Sequence, residues 1–194
     1  MDTSQLKTRF FELYGNPDHT PELYFAPGRV NMIGEHTDYN GGFVFPCALQ
    51  FGTYLFIRKR ADSLLRFASV NQEFTADIPL EKAAQKVAGS WVNYPLGVFD
   101  QFRQKEIALA GFDMLFSGDI PNSAGLSSSA SIEMVTAYAL NDLLKSGLMV
   151  LDLVKLSQKA ENEFVGVSCG IMDQFAVGMG EKDHAIFPQL PDAG

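Results

Sequence analysis

Cysteine, histidine and tryptophan are scarce in this chain, whose 194 residues include two, three and one of them. Cys47 and Cys169 lie far apart and match no metal or redox spacing, so they read as two reduced thiols in a reducing compartment. No apolar run approaches the roughly 20 residues that a membrane span requires. The first residues carry Asp2, Lys7 and Arg9 where a signal peptide would be apolar. No membrane partner and a cytoplasmic address are therefore expected. Basic charge is also in deficit: the net charge of -8 argues against nucleic-acid binding, which needs a basic surface. An anionic ligand must be held by local groups. What remains, 46% hydrophobic and 20% charged, suits a globular chain that buries a core, and the length fits one domain or one plus a fragment.

Ser4 is placed to cap a first helix running to about Tyr14, with Leu6, Phe10 and Leu13 at helical spacing and Gly15 as its stop. Residues 23–30, 42–49 and 52–60 are rich in aromatic and β-branched side chains and read as strands. Helical character follows over 81–105, interrupted at 89–95, and 112–117 reads as one more strand. After a loop at 119–126 comes the strongest helix, with Ile132, Val135, Ala139 and Leu143 on one stripe. Further helices are expected over 151–164 and after Gly170. Strands first and helices later predict an α+β domain, a sheet with helices packed on one side.

Residues 118–133 read GDIPNSAGLSSSASIE, a small-residue loop running into a helix. Small side chains let backbone amides approach a polyphosphate, and the positive end of the helix dipole faces the same place. No lysine follows the glycine, so this is not a Walker A loop; amides, serine hydroxyls and a bound cation must offset the charge. Taken alone, such a stretch is more often a helix cap or linker than a phosphate site.

Two further motif blocks change that balance. PGRVNMIGEHTDYNGG, from Pro27 to Gly42, is similar to the galactokinase signature, and Pro121 to Ala130 resembles the second motif of the wider GHMP kinase family. CGIMDQF, from Cys169 to Phe175, is a third matching block, and SWVNYPLGV and QKAENEFVG lie between. The resemblance covers nearly all of Tyr24 to Gly180. It implies a GHMP kinase N-terminal domain, ribosomal protein S5 domain 2-like with a mixed sheet, over 1–187. The implied reaction is transfer of the ATP γ-phosphate to the anomeric hydroxyl of galactose, with Mg2+.

A phosphoryl-transfer site must orient a hydroxyl, stabilise charge and position magnesium. The resemblance assigns these roles. Asp173 takes the proton of the sugar hydroxyl, and Arg29 is the cation beside it that offsets developing negative charge. Glu35, His36, Thr37, Asp38 and Gly170 are implied sugar ligands, since buried donors and acceptors distinguish a sugar from its epimer. Ser123, Ala124, Gly125, Leu126, Ser127, Ser128 and Ser129 form the triphosphate cradle. Ser129 and Glu161 are the implied magnesium ligands, with Glu163 a competing carboxylate half a turn away. Ser69 and Trp91 fall near the nucleotide base or ribose, although a core tryptophan is an equal reading.

GHMP kinases have two domains around their active site, and the resemblance implies that this chain lacks the second, with its glycine-rich motif and a tyrosine set against the sugar. The chain alone is then expected to be inactive and to self-associate through an uncovered apolar face. A kinase for N-acetylgalactosamine and a non-catalytic galactose and ATP sensor remain alternatives; the intact Arg29 and Asp173 speak against the sensor. The tail 188–194, PQLPDAG, departs from the family, and its prolines deny a strand its amides. Codons CCT CAA CTG CCA GAC GCT GG encode it, and dropping the first C yields Leu-Asn-Cys-Gln-Thr-Leu, which resembles the family's continuation. A single-base insertion after the Phe187 codon is one reading and a divergent loop the other. The insertion predicts a loosely attached tail.

Overall fold

The computed structural model describes residues 2–15, 20–34, 40–121 and 125–189. Helix α1 (Thr3–Tyr14) precedes strands β1 (Glu22–Asn31), β2 (Pro46–Lys59), β3 (Leu64–Ser69) and β4 (Ala76–Pro79). Helix α2 (Asn93–Gln104), strand β5 (Phe112–Gly118) and helices α3 (Ser128–Leu143), α4 (Val150–Lys159) and α5 (Met172–Met179) follow. A π-helical turn, Ala160–Val165, continues α4.

The sheet is mixed, in the order β1-β2-β5-β3-β4; β3 and β5 run parallel and the other neighbours antiparallel. Its two faces follow from the period of two along each strand. Leu55, Ile57, Phe112, Met114 and Phe116 join α2, α3, α4 and α5 in the main core, while Phe56 and Leu115 point the other way, onto Leu6 and Phe10 of α1. Helices α2 to α5 thus collect on one face as expected, and among the described elements α1 covers the other. Tyr14 fastens α1 by donating to the Met114 carbonyl at 2.8 Å. The cap of α1 is Asp2, whose carboxylate accepts from the Ser4 amide, so Ser4 is inside the helix it was expected to cap.

The two strands expected at 42–49 and 52–60 are one, β2. Gly52 does not break it: a Cβ there would meet the Ala26 carbonyl at 2.1 Å, so the glycine permits close approach of β1. Strands β3 and β4 were missed because they are short. Within 81–105 only α2 is α-helical, and Pro95 is tolerated in its first turn.

Phe187 stacks on Phe43 with ring centroids 5.1 Å apart and meets Phe45 edge-on. The Val44 amide donates to the Pro188 carbonyl at 3.3 Å, and Gln189 forms a bridge with Phe43. Pro188 and Gln189, at the start of the tail, are therefore fastened; a proline keeps its carbonyl, and that is the group used. Leu190 to Gly194 lie outside the described residues.

Candidate active site

Strand β1, the loop before α3 and the first turn of α5 converge on Asp173. Arg29 projects from β1, where the register with β2 shifts between Pro27 and Arg29. Its Nε and Nη2 both reach Asp173 Oδ1, at 2.8 and 2.6 Å, and its Nη1 donates to the Gly125 carbonyl at 2.8 Å. The Arg29 backbone N–H donates to the Leu126 carbonyl at 3.2 Å. A Cβ on Gly28 would meet that same carbonyl at 2.8 Å, so the glycine lets the loop lie against β1. Ser127 takes the N-cap position of α3 in the left-handed region, φ 57°, ψ 52°, a strained conformation for a side chain other than glycine's. Its hydroxyl caps nothing and donates instead to Asp173 Oδ2.

Both oxygens of Asp173 are therefore engaged. A carboxylate offers about four lone-pair positions. Among the described residues, Arg29 uses two on Oδ1 and Ser127 one on Oδ2, which leaves a position on Oδ2. The expected contribution of Ser127 to a phosphate cradle narrows to its backbone amide, since its hydroxyl serves Asp173.

Glu161 and Glu163, which the sequence left in competition, face opposite ways. Glu161 is 5% exposed and points inward, accepting from Gln174 Nε2 at 2.6 Å and from the Cys169 thiol at 3.4 Å. Glu163 lies outward, 3.6 Å from Lys159. Two residues not anticipated, Glu133 and Gln174, are fully buried here, with Gln174 Nε2 donating to Glu133 Oε2 at 3.1 Å. Burial, reinforced by the neighbouring Glu161 carboxylate, raises the Glu133 carboxyl well above its ordinary range. A carboxylate one helical turn after Ser129, inside an otherwise apolar stripe, was the available signal. Burial likewise pushes the Cys169 thiol up, so this cysteine stays protonated. Asn162 pins the loop before α5 by exchanging hydrogen bonds with the Cys169 backbone, at 2.9 and 3.3 Å. Gly170 is buried in that loop.

Ser69, Trp91 and Ser128 line one cavity of about 140 Å³, together with Thr53, Asn71 and Phe116. Trp91 packs edge-on against Phe116, and its Nε1 is buried without a hydrogen-bond partner among the described residues. Glu35, His36, Thr37, Asp38, Ser123 and Ala124 lie outside the described residues. Among the described residues, no three acidic, histidine or cysteine side chains gather as a metal centre. No helix among them is long and apolar enough to cross a membrane.

Residues 8–59 match the galactokinase galactose-binding signature, and residues 93–181 match the GHMP kinases N-terminal domain. The chain belongs to the GHMP kinase family. Within that family it is 50% identical over 187 residues to a galactokinase of Clostridium tetani, covering 96% of this chain and 47% of that one. It is 55% identical over 168 residues to a galactokinase of Fusobacterium nucleatum, covering 85% and 43%. The Lactococcus lactis galactokinase, solved in complex with galactose, superposes with a TM-score of 0.91 at 38% identity, over 97% of this chain and 51% of that one. The chain thus spans about half the length of the curated GHMP kinases it matches. A mevalonate kinase of Methanococcus jannaschii, at 21% identity and TM-score 0.73, shares the fold.

Proposed function

We propose that this chain supplies the sugar- and phosphate-binding half of an ATP-dependent galactose kinase. The observation that carries the reading is the Arg29–Asp173–Ser127 arrangement at the head of α3. In the proposed reaction the free position on Asp173 Oδ2 accepts the proton of the anomeric hydroxyl. The hydroxyl oxygen then bonds to the γ-phosphorus, the bond from that phosphorus to the bridging oxygen breaks, and ADP leaves. Arg29 holds Asp173 in place and lies where negative charge develops. Backbone amides from Ser123 to Ser129, at the positive end of α3, take the phosphates. The cavity lined by Ser69 and Trp91 takes the nucleoside, and Glu35, His36, Thr37, Asp38 and Gly170 take the sugar hydroxyls.

Magnesium fits the donors present. Ser129, Glu133 and Glu161 offer hard oxygens, and Glu133 Oε1 is buried with no partner among the described residues. Ser129 and Glu161 would hold the ion, which supplies charge neutralisation on the transferred phosphoryl group.

Because the chain spans half of its relatives, the 194 residues alone are expected to show no turnover. Met32, Ile33, Phe43 and Phe187, each at least half exposed, form the apolar surface to which we assign self-association. The reading is tested by steady-state phosphorylation of several sugars by the complete kinase. Galactose should be phosphorylated far faster than glucose and faster than N-acetylgalactosamine; equal rates on galactose and glucose would refute it.

A further inference from the structure

Asp173 and Gln174 are consecutive in the first turn of α5, and their side chains serve different networks. Asp173 is gripped by Arg29 and Ser127. Gln174, fully buried, donates through one amide nitrogen to Glu133 and to Glu161, which are carried by α3 and by the π-helical turn. An amide nitrogen has two protons, and both are used. Glu133 Oε1 and Gln174 Oε1 meanwhile lack partners among the described residues. Burying polar atoms unpaired is costly, and a core built for packing alone would place apolar side chains here.

Resting on the function proposed above, in which Glu161 holds the divalent cation, we propose that Gln174 is a positioning residue that fixes the Glu161 carboxylate relative to Asp173. Neighbours on one helix turn cannot change their separation appreciably, so the proton acceptor and the cation ligand are set as one unit. Glu133 ties that unit to α3, the helix that also carries Ser129. Without the Gln174 amide, the partners left to Glu161 among the described residues are the Cys169 thiol, a weak donor at 3.4 Å, and the Glu133 carboxyl, which Gln174 would no longer hold in place either. The Glu161 carboxylate would then rotate away from the orientation the cation requires.

The test is Mn2+ binding by the 194-residue chain with ADP present, read from the free-ion electron paramagnetic resonance signal and accompanied by a thermal melt. Gln174→Met is expected to keep a cooperative melt while weakening Mn2+ by about tenfold, as loss of a hydrogen bond behind a metal ligand does. Glu161→Gln should weaken it at least as much. Gln174→Asn keeps a polar group and loses one methylene of reach; it should act in the same direction and serves if the methionine variant does not fold. Parent-like Mn2+ affinity in a folded Gln174 variant, with Glu161→Gln weakened, overturns the positioning role and leaves the cation assignment standing. Parent-like binding by Glu161→Gln, or no binding by the parent, overturns the assignment of Glu161 itself and this inference with it.

Discussion

Arg29 and Asp173 are 144 residues apart in the chain, and their side chains meet at 2.6 Å. The pair joins β1 to α5 across the loop that enters α3, because the same guanidinium also holds the Gly125 carbonyl. One cation therefore organises three separate segments, and its loss should disturb more than a single contact.

In the complete kinase, Asp173→Asn should lower kcat by about three orders of magnitude, the scale of a lost general base, while leaving ATP affinity within a few fold. Arg29→Met should lower kcat too, and should also raise the KM for ATP because the Gly125 loop is released. Steady-state kinetics in both substrates checks this. Near-normal turnover of Asp173→Asn would show that the carboxylate is not needed.

Ser127 can be separated into its backbone and its hydroxyl. Ser127→Ala and Ser127→Gly both remove the hydrogen bond to Asp173, so both should reduce kcat, by about tenfold if the bond is worth near 1.4 kcal/mol. Glycine accepts the left-handed backbone freely, so Ser127→Gly should be more stable than Ser127→Ala by about 1 kcal/mol. Equal melting temperatures for the two variants would contradict the strain seen at this position.

Glu161→Ala should raise the magnesium concentration needed for half-maximal rate far more than Glu163→Ala does. That order follows from the proposed assignment of the ion to the inward Glu161 rather than the outward Glu163. The reverse order, in a magnesium titration of both variants, would move the ligand to the exposed carboxylate.

The chain's one tryptophan lines the cavity beside Ser69 and Ser128, which makes its fluorescence a reporter for the nucleotide. Adding ATP should change the emission of Trp91 saturably, and galactose alone should not. No response to ATP would indicate that this cavity is packing space.

Away from the site, Asp113 of β5 is 1% exposed and carries Arg58, Arg60 and Arg66, at 2.7, 2.7 and 2.6 Å. Arg58 also reaches the Tyr14 and Gly15 carbonyls, so the cluster anchors the end of α1. Asp113→Asn should cost about 3 kcal/mol, because it leaves the buried Arg58 guanidinium without its counter-ion. Burial pushes the Asp113 carboxyl up, but hydrogen bonds from Arg66, Arg58 and Arg60 outweigh it and hold the group below its ordinary value. The folded state therefore binds this proton less readily than the unfolded one. The stabilisation is present above about pH 4, the ordinary range, and is lost as pH falls through the lower folded value. Melting curves should show that acid-side slope in the parent and a shallower one in Asp113→Asn.

The helices α3, α4 and α5 and the strands β1 and β5 were legible because their apolar side chains recur at the right period or run unbroken. β3 and β4 were not: LLRFAS is a mixed hexamer, and its place beside β5 depends on the parallel pairing of residues distant in sequence. That Arg29 lies close to Asp173 was expected from motif resemblance, and the structure brings the two together. What local pattern could not show was where hydroxyls and amides point. Ser127 read as one of several loop serines until its left-handed backbone turned it toward Asp173, and Gln174 was assigned no role.

The π-helical turn at Ala160–Val165 closes with the Gly166 amide on the Glu161 carbonyl, five residues back, at 2.9 Å. Such a turn holds one residue more than an α-helix would, and each helical residue turns the chain by about 100°. Deleting a single residue after Glu161 would close the turn to ordinary helix and swing the path toward α5 by that angle, taking Cys169 and Gln174 out of register with Glu161. The length of this stretch, and not only its side chains, therefore sets the register between Glu161 and Gln174.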